Sequence, residues 1–230
     1  MEIKHRLIEK KIQFDFETVY YLCIENIQFY RRLTYLCSNG IGNEDTFMLF
    51  NNDEQLQADK TIFFIDNPLK IDFDEKKLNL TIQKDVANSI DVTENENFLI
   101  LLNQISEYIE SISYDYPLNI SYDSEMTLPA FLKAFSLGYT VKTDDYLTTL
   151  VEKIKILSSL FKYKVFILLN LCDYLTEEEF LSFVEEMRKL EVYFFVLSSH
   201  LPIYKIDEEF IIRIDNDLCE LHIDSKSEKC

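Results

Sequence analysis

Glycine is scarce, with three in 230 residues where average usage of about 7% would give roughly sixteen. Loops that cradle phosphate with bare backbone amides need glycines close together, so chemistry built on such loops is nearly excluded. Tryptophan is absent and proline occurs four times. The five cysteines (Cys23, Cys37, Cys172, Cys219, Cys230) are odd in number and never closer than eleven residues. Neither a disulfide framework nor a C-x-x-C zinc site is indicated. No apolar run approaches the ~20 residues of a membrane span, and the charge-interleaved start from Met1 to Lys11 has no signal-peptide core. A cytoplasmic protein without membrane contact is expected. Basic side chains are the last shortage: 23 Lys and Arg against 41 Asp and Glu leave a formal charge of −18. Taken alone, that charge speaks against a nucleic-acid binder.

What is present suits a folded chain, with 47% hydrophobic residues and 18 Phe and 14 Tyr as bulky core surface. Thr18 to Ile24 (TVYYLCI) reads as a strand, followed directly by helical spacing at Ile27, Tyr30, Leu33 and Leu36. Phe47 to Phe50 and Ile62 to Ile65 read as short buried strands. Further on, Lys164 to Asn170 (KVFILLN) is a continuous apolar strand. Thr176 with Glu179 forms a capping box, Phe180, Val184, Met187 and Leu190 make a helical stripe, and Val192 to Ser198 (VYFFVLS) is a second continuous strand. Strand, helix, strand with both strands apolar on both faces predicts a βαβ unit in a mostly parallel sheet. Phe210 to Ile214 and Leu218 to Ile223 are candidate edge strands.

Between these α/β halves lie two stretches with a/d spacing. One runs through Phe98, Leu101, Ile105, Tyr108 and Ile112, the other through Leu147, Leu150, Ile154, Leu157 and Phe161. Two heptads each allow either two amphipathic helices on an ordinary core or an antiparallel pair projecting from the sheet. The expected division is an α/β head of residues 1–88 and 163–230 and an α-helical leg of 89–162.

The turn after the first strand is where a phosphate loop would sit, but it reads Glu25-Asn26-Ile27, with an acid at its mouth and no Gly or Lys. Gly40-Ile41-Gly42 follows a helix and reads as a helix-ending turn. Asp66 and Asn170 end strands as a magnesium-holding acid would, yet without a phosphate loop a cap or turn role is expected. His5, His200 and His222 lie in unrelated segments, none at metal spacing. No catalytic constellation survives. Charge, however, is segregated: residues 36–132 carry −13 and 165–230 carry −9, whereas 133–164 carry +3. Lys133, Lys142, Lys153, Lys155, Lys162 and Lys164 supply that basic segment, either as a solvated helix face or as a phosphate-contacting one. Asp115, Asp123, Glu125, Asp144 and Asp145 precede or open it. They could offer several of the six to eight oxygens that calcium takes, though in no EF-hand order.

The order of elements from about Ser121 to Ile223 resembles the ring-forming CRISPR-associated protein of subtype II-A, which takes part in spacer acquisition. The phrases that carry the likeness are YDSEMTLPAFLKAFSLG, KVFILLN, YLTEEEF, VYFFVLS, IDEEFIIRID and DLCELHI, with TVYYLCIEN a looser match. That resemblance implies an α/β class, with a P-loop-like head of mostly parallel sheet lacking the nucleotide motif and an inserted α-helical leg. It also implies a homotetrameric ring, calcium as the ion, and double-stranded DNA ends held by lysines without enzymatic activity. The DNA-binding candidates are then Lys133, Lys142, Lys153 and Lys155, and the metal candidates Asp115, Asp123, Glu125, Asp144 and Asp145. A CRISPR integrase complex and effector nuclease are the implied protein partners in this antiviral defence. Two rivals stand beside this expectation: a protein-interaction scaffold with incidental DNA contact, and a cryptic nucleotide-dependent enzyme.

Overall fold

Each β-branched and aromatic run of the sequence becomes a strand, and each stretch of three-and-four spacing a helix. In chain order these are β1 (Glu2–His5), β2 (Ile8–Gln13), β3 (Val19–Ile24), α1 (Ile27–Asn39), β4 (Met48–Asn51), β5 (Glu54–Leu56), the single turn α2 (Ala58–Thr61) and β6 (Ile62–Ile65). There follow α3 (Glu75–Ser89), α4 (Val92–Tyr114), α5 (Leu128–Ala134), α6 (Tyr146–Ser159), β7 (Val165–Leu169), a short 3-10 turn, α7 (Glu177–Lys189), β8 (Tyr193–Ser198), β9 (Glu209–Ile214) and β10 (Glu220–Asp224). This computed structural model describes residues 1–52, 54–71, 75–114, 116–118, 120–122, 125–140, 145–206 and 208–224.

The larger sheet has the strand order β10-β9-β3-β8-β7-β6, parallel throughout except for the antiparallel β10/β9 pair. The expected βαβ unit is β7-α7-β8. Its strands are buried on both faces, which is why they read as unbroken apolar runs. One expectation is corrected: β9 is not an edge strand but lies between β10 and β3. Its core residues Ile211, Ile212 and Ile214 are buried accordingly.

A second, antiparallel sheet, β2-β1-β4-β5, has a counterpart in the sequence reading at β4 and none at β1, β2 or β5. Ile3 and His5 on β1 and Ile12 on β2 are buried at period-two positions, a pattern masked by the intervening Lys and Glu. Ile3, Ile12 and Leu49 of this sheet share a core with Leu33 of α1 and with Tyr20, Leu22, Ile24, Ile167 and Phe195 of the larger sheet. On the other face of that sheet α7 lays Phe180 over Tyr21, ring centroids 6.2 Å apart, and Phe183 against Phe194 at 5.3 Å. The Thr176–Glu179 capping box starts α7, each partner bonding the other's backbone N–H. Asn26 caps α1 through a bond from the Phe29 N–H (3.0 Å), and Gly40 ends it at a φ of +138° that disfavours other residues.

The chain forms two compact units, Met1–Ile71 with Thr143–Cys230, and Asp72–Lys142. These bounds fall short of the expected 88/89 and 162/163 for packing reasons. Helix α3 pairs with α5 inside the second unit, and α6 buries Leu150, Ile154 and Leu157 and packs on α7 inside the first. The apolar stripe of α6 is therefore an ordinary core face. In the helical unit, Gln83 of α3 donates to the Leu137 carbonyl (2.8 Å) and the Asn79 carboxamide accepts from the Tyr139 N–H (3.1 Å). The stripe on α4 is also rotated from the expected one. Phe98, Leu102, Ile105 and Ile109 are half-buried, with Phe98 edge-on to Phe131 at 5.4 Å. Leu101, Tyr108 (67% exposed) and Ile112 (54%) face outward. The run Leu99-Ile100-Leu101-Leu102 offers apolar residues at both the third and fourth step from Phe98, so spacing alone does not choose between the two faces.

Candidate functional site

Strand β3 delivers its turn to the carboxyl edge of the larger sheet, where open α/β sheets bind ligands. Here that position is filled from within. Arg213 on β9 donates its Nε–H to Glu25 Oε1 at 2.7 Å. Asn26 uses its carboxamide oxygen on the α1 N-terminus and its nitrogen on the Asn216 carbonyl (2.8 Å). An ion pair and a side-chain cap thus stand where phosphate oxygens would have to approach. The Glu25 bond, together with its charge, raises the Arg213 pKa above its ordinary value.

Beside this turn, Asn170 ends β7 in the left-handed region, a conformation Asn tolerates. Its oxygen accepts from the Tyr30 hydroxyl at 3.0 Å and its N–H donates to the Leu197 carbonyl at 2.9 Å, so Asn170 serves a turn, as expected. Asp66 lies just beyond β6 and lines a cavity at the end of α1. All three histidines have structural partners. His200 Nε2 meets Asp173 at 2.9 Å and His222 Nε2 meets Glu220 at 2.6 Å. Buried His5 accepts from the Leu7 N–H at Nδ1, which places its proton on Nε2, toward the Asp45 carbonyl. Burial pushes the thiols of Cys23, Cys37 and Cys172 up to about 11, 12 and 11 respectively, away from the range of a reactive thiolate.

The lysines separate into different situations. Lys155 on α6 and Lys133 in the last turn of α5 are exposed. Lys153 is half-buried, and its ammonium donates to the Ile71 carbonyl at 3.2 Å. Lys142 lies outside the described residues. Of the carboxylates, Asp145 caps α6, accepting from the Thr148 N–H at 2.7 Å, and bonds from the Thr148 side chain and then its N–H hold its pKa below the ordinary value. Glu125 is exposed in the helical unit. Asp115, Asp123 and Asp144 lie outside the described residues. Among the described residues no three His, Cys, Asp or Glu side chains gather as a metal site, and Glu125 and Asp145 are two carboxylates where calcium takes six to eight oxygens.

Sequence reasoning missed the Arg213–Glu25 pair, whose partners are 188 residues apart, and the Lys153–Ile71 bond. Neither leaves a local signature. Among the described residues no helix is long and apolar enough to cross a membrane. Among known proteins, the sequence pattern of one family, described as CRISPR-associated protein (Cas_Csn2), matches residues 41–218. No curated protein matches the chain.

Proposed function

Because this chain belongs to the CRISPR-associated family Cas_Csn2, which implies a role in CRISPR adaptation, we propose that it binds double-stranded DNA ends without reading sequence, as a non-catalytic accessory. In this reading the unit bearing the larger sheet is a P-loop-related head that has lost its nucleotide site, its phosphate seat taken by Glu25 and Arg213. A calcium-stabilised homotetrameric ring brings the basic segments of several chains around one duplex. Segregation of charge is the observation that carries the reading: residues 133–164 hold +3 while the rest of the chain holds −21. A closed ring concentrates the former on one surface and turns the latter away from the phosphates. Lys133 and Lys155 are the described lysines best suited to contact the backbone, with Lys142 between them in sequence. Lys153 spends its charge on Ile71.

The test is a titration of linear and covalently closed duplex at salt from about 50 to 200 mM. Affinity for linear DNA should fall steeply with salt, closed circles should bind poorly, and the double variant Lys133→Glu/Lys155→Glu should weaken binding about tenfold or more. Flat salt dependence, or equal binding of circles, would refute it. A chelator arm with solution mass tests the ring and the calcium together, using the carboxylates Asp115, Asp123, Glu125, Asp144 and Asp145. One observation favours the scaffold alternative: α4 carries an exposed apolar face at Leu101, Tyr108 and Ile112 suited to protein contact. If the lysine reversals abolish DNA binding while spacer uptake and partner capture persist, the scaffold reading replaces the DNA one.

A further inference from the structure

Strand β6 pairs with β7 and, among the described residues, with no strand on its other side, so it forms an edge of the larger sheet. A cavity of about 300 Å³ opens at this edge. That is the lower end of ligand-pocket sizes, room for one side chain instead of a cofactor. Its walls combine two characters. Ile41, Ile62, Phe63 and Phe64 are apolar, and the charged lining is Asp59 from α2 and Asp66 just past β6, with no Lys, Arg or His among the described lining residues. Neither aspartate forms an ion pair within the described chain.

A third source of negative potential comes from the backbone. Helix α1 ends at the cavity, which its residues Cys37 to Asn39 line together with the cap Gly40. The last turn of α1 contains no basic side chain, so the partial negative charge of that terminus is not offset by its own residues. The complementary group has a positive tip and an apolar stem. A guanidinium fits better than an ammonium, because it is weakly hydrated, lies against aromatic rings and can bond two carboxylates at once through its fork of donors. A divalent cation fits worse, since two carboxylates beside phenylalanine rings fall short of its oxygen requirement.

We propose that this cavity seats an arginine side chain carried by an extended segment of a partner protein, with the free edge of β6 supplying main-chain hydrogen-bond partners to that segment. The proposal is independent of DNA binding, since the cavity holds none of the lysines assigned to DNA. The chain contains no tryptophan, so the probe peptide acetyl-Val-Arg-Val-Trp-amide can be followed by its own fluorescence against the full-length protein.

Replacing its arginine by citrulline, which keeps the shape and removes the charge, should weaken binding about tenfold or more. Asp59→Asn/Asp66→Asn should weaken the arginine peptide to a similar degree and leave the citrulline peptide unchanged. Because a chain of −18 attracts any cation, Glu96→Gln/Glu107→Gln on exposed positions of α4 removes the same charge elsewhere. It should change affinity less than twofold. Equal binding of arginine and citrulline peptides overturns the proposal without need of any variant. Equal weakening by the two double variants overturns it as well, in favour of general electrostatic attraction.

Discussion

Strand β10 closes one edge of the larger sheet and reaches the smaller sheet through Glu220. The Glu220 carboxylate accepts the N–H groups of Glu9 (2.6 Å) and Lys10 (2.8 Å) on β2, and His222 Nε2 approaches the same carboxylate at 2.6 Å. Glu220 keeps only 10% of its side chain exposed. Burial by itself would raise its pKa. The bonds from His222 and from the Lys10 and Glu9 backbone outweigh that and hold it below 4.5. Glu220→Ala leaves two backbone donors of an edge strand without their acceptor. Hydrogen bonds to a charged group contribute about 1.5–3 kcal/mol each, and the low end applies near solvent, so the loss is about 3 kcal/mol. Glu220→Gln keeps one acceptor oxygen and loses about 1 kcal/mol. In a chain of this size each kcal/mol moves Tm by about 2–4 °C, so the alanine variant should melt about 6–12 °C lower at neutral pH. A depressed carboxyl pKa contributes stability that is present above 4.5 and fades as pH falls through the folded value. The difference between wild type and Glu220→Ala in urea denaturation should therefore shrink in acid. A Tm drop under about 2 °C at neutral pH, or a difference that grows in acid, would refute the reasoning.

Three further outcomes follow from described contacts. Burial holds the His5 imidazole below 6.5, and Arg6 and Arg32 add to the effect against Asp45. The fold must exclude a proton that the unfolded chain accepts, so the urea midpoint should fall between about pH 7.5 and 5.5, and fall less in His5→Gln. Thr176→Ala removes the hydroxyl of the capping box and should cost about 1 kcal/mol, read as a Tm shift. Ile154→Ala on the fully buried face of α6 should cost about 2–5 kcal/mol in chemical denaturation.

The larger sheet was legible because parallel strands covered on both faces must be apolar without interruption, as KVFILLN and VYFFVLS are. Local grammar was equally plain at Thr176, Glu179 and Gly40, where a cap acts over three residues. The smaller sheet was not, since Lys and Glu on its outward positions diluted the alternation of Ile3, His5, Ile8 and Ile12. The orientation of α4 was ambiguous for another reason: four consecutive apolar residues satisfy two helical faces, and the choice falls to Phe131. At the candidate site, residue types identified Lys133 and Lys155 as surface cations. Spacing could not reveal that the equally basic Lys153 turns to a carbonyl 82 residues away.

That last bond has an architectural meaning. Ile71 is where the chain leaves the unit that carries the larger sheet, and α6, bearing Lys153, is the first helix after its return. Departure and return are stitched together inside one unit by an ammonium on a carbonyl, at positions where Ile71 and Ile154 are both buried. The segment Asp72–Lys142 is thereby a cassette whose insertion points are held by its host. The entropy of closing such an excursion grows only with the logarithm of its length, by about 0.6 kcal/mol per doubling. The host can therefore carry inserts of very different length between the same two anchors at nearly constant cost, leaving the insert free to diversify while the sheet stays as it is.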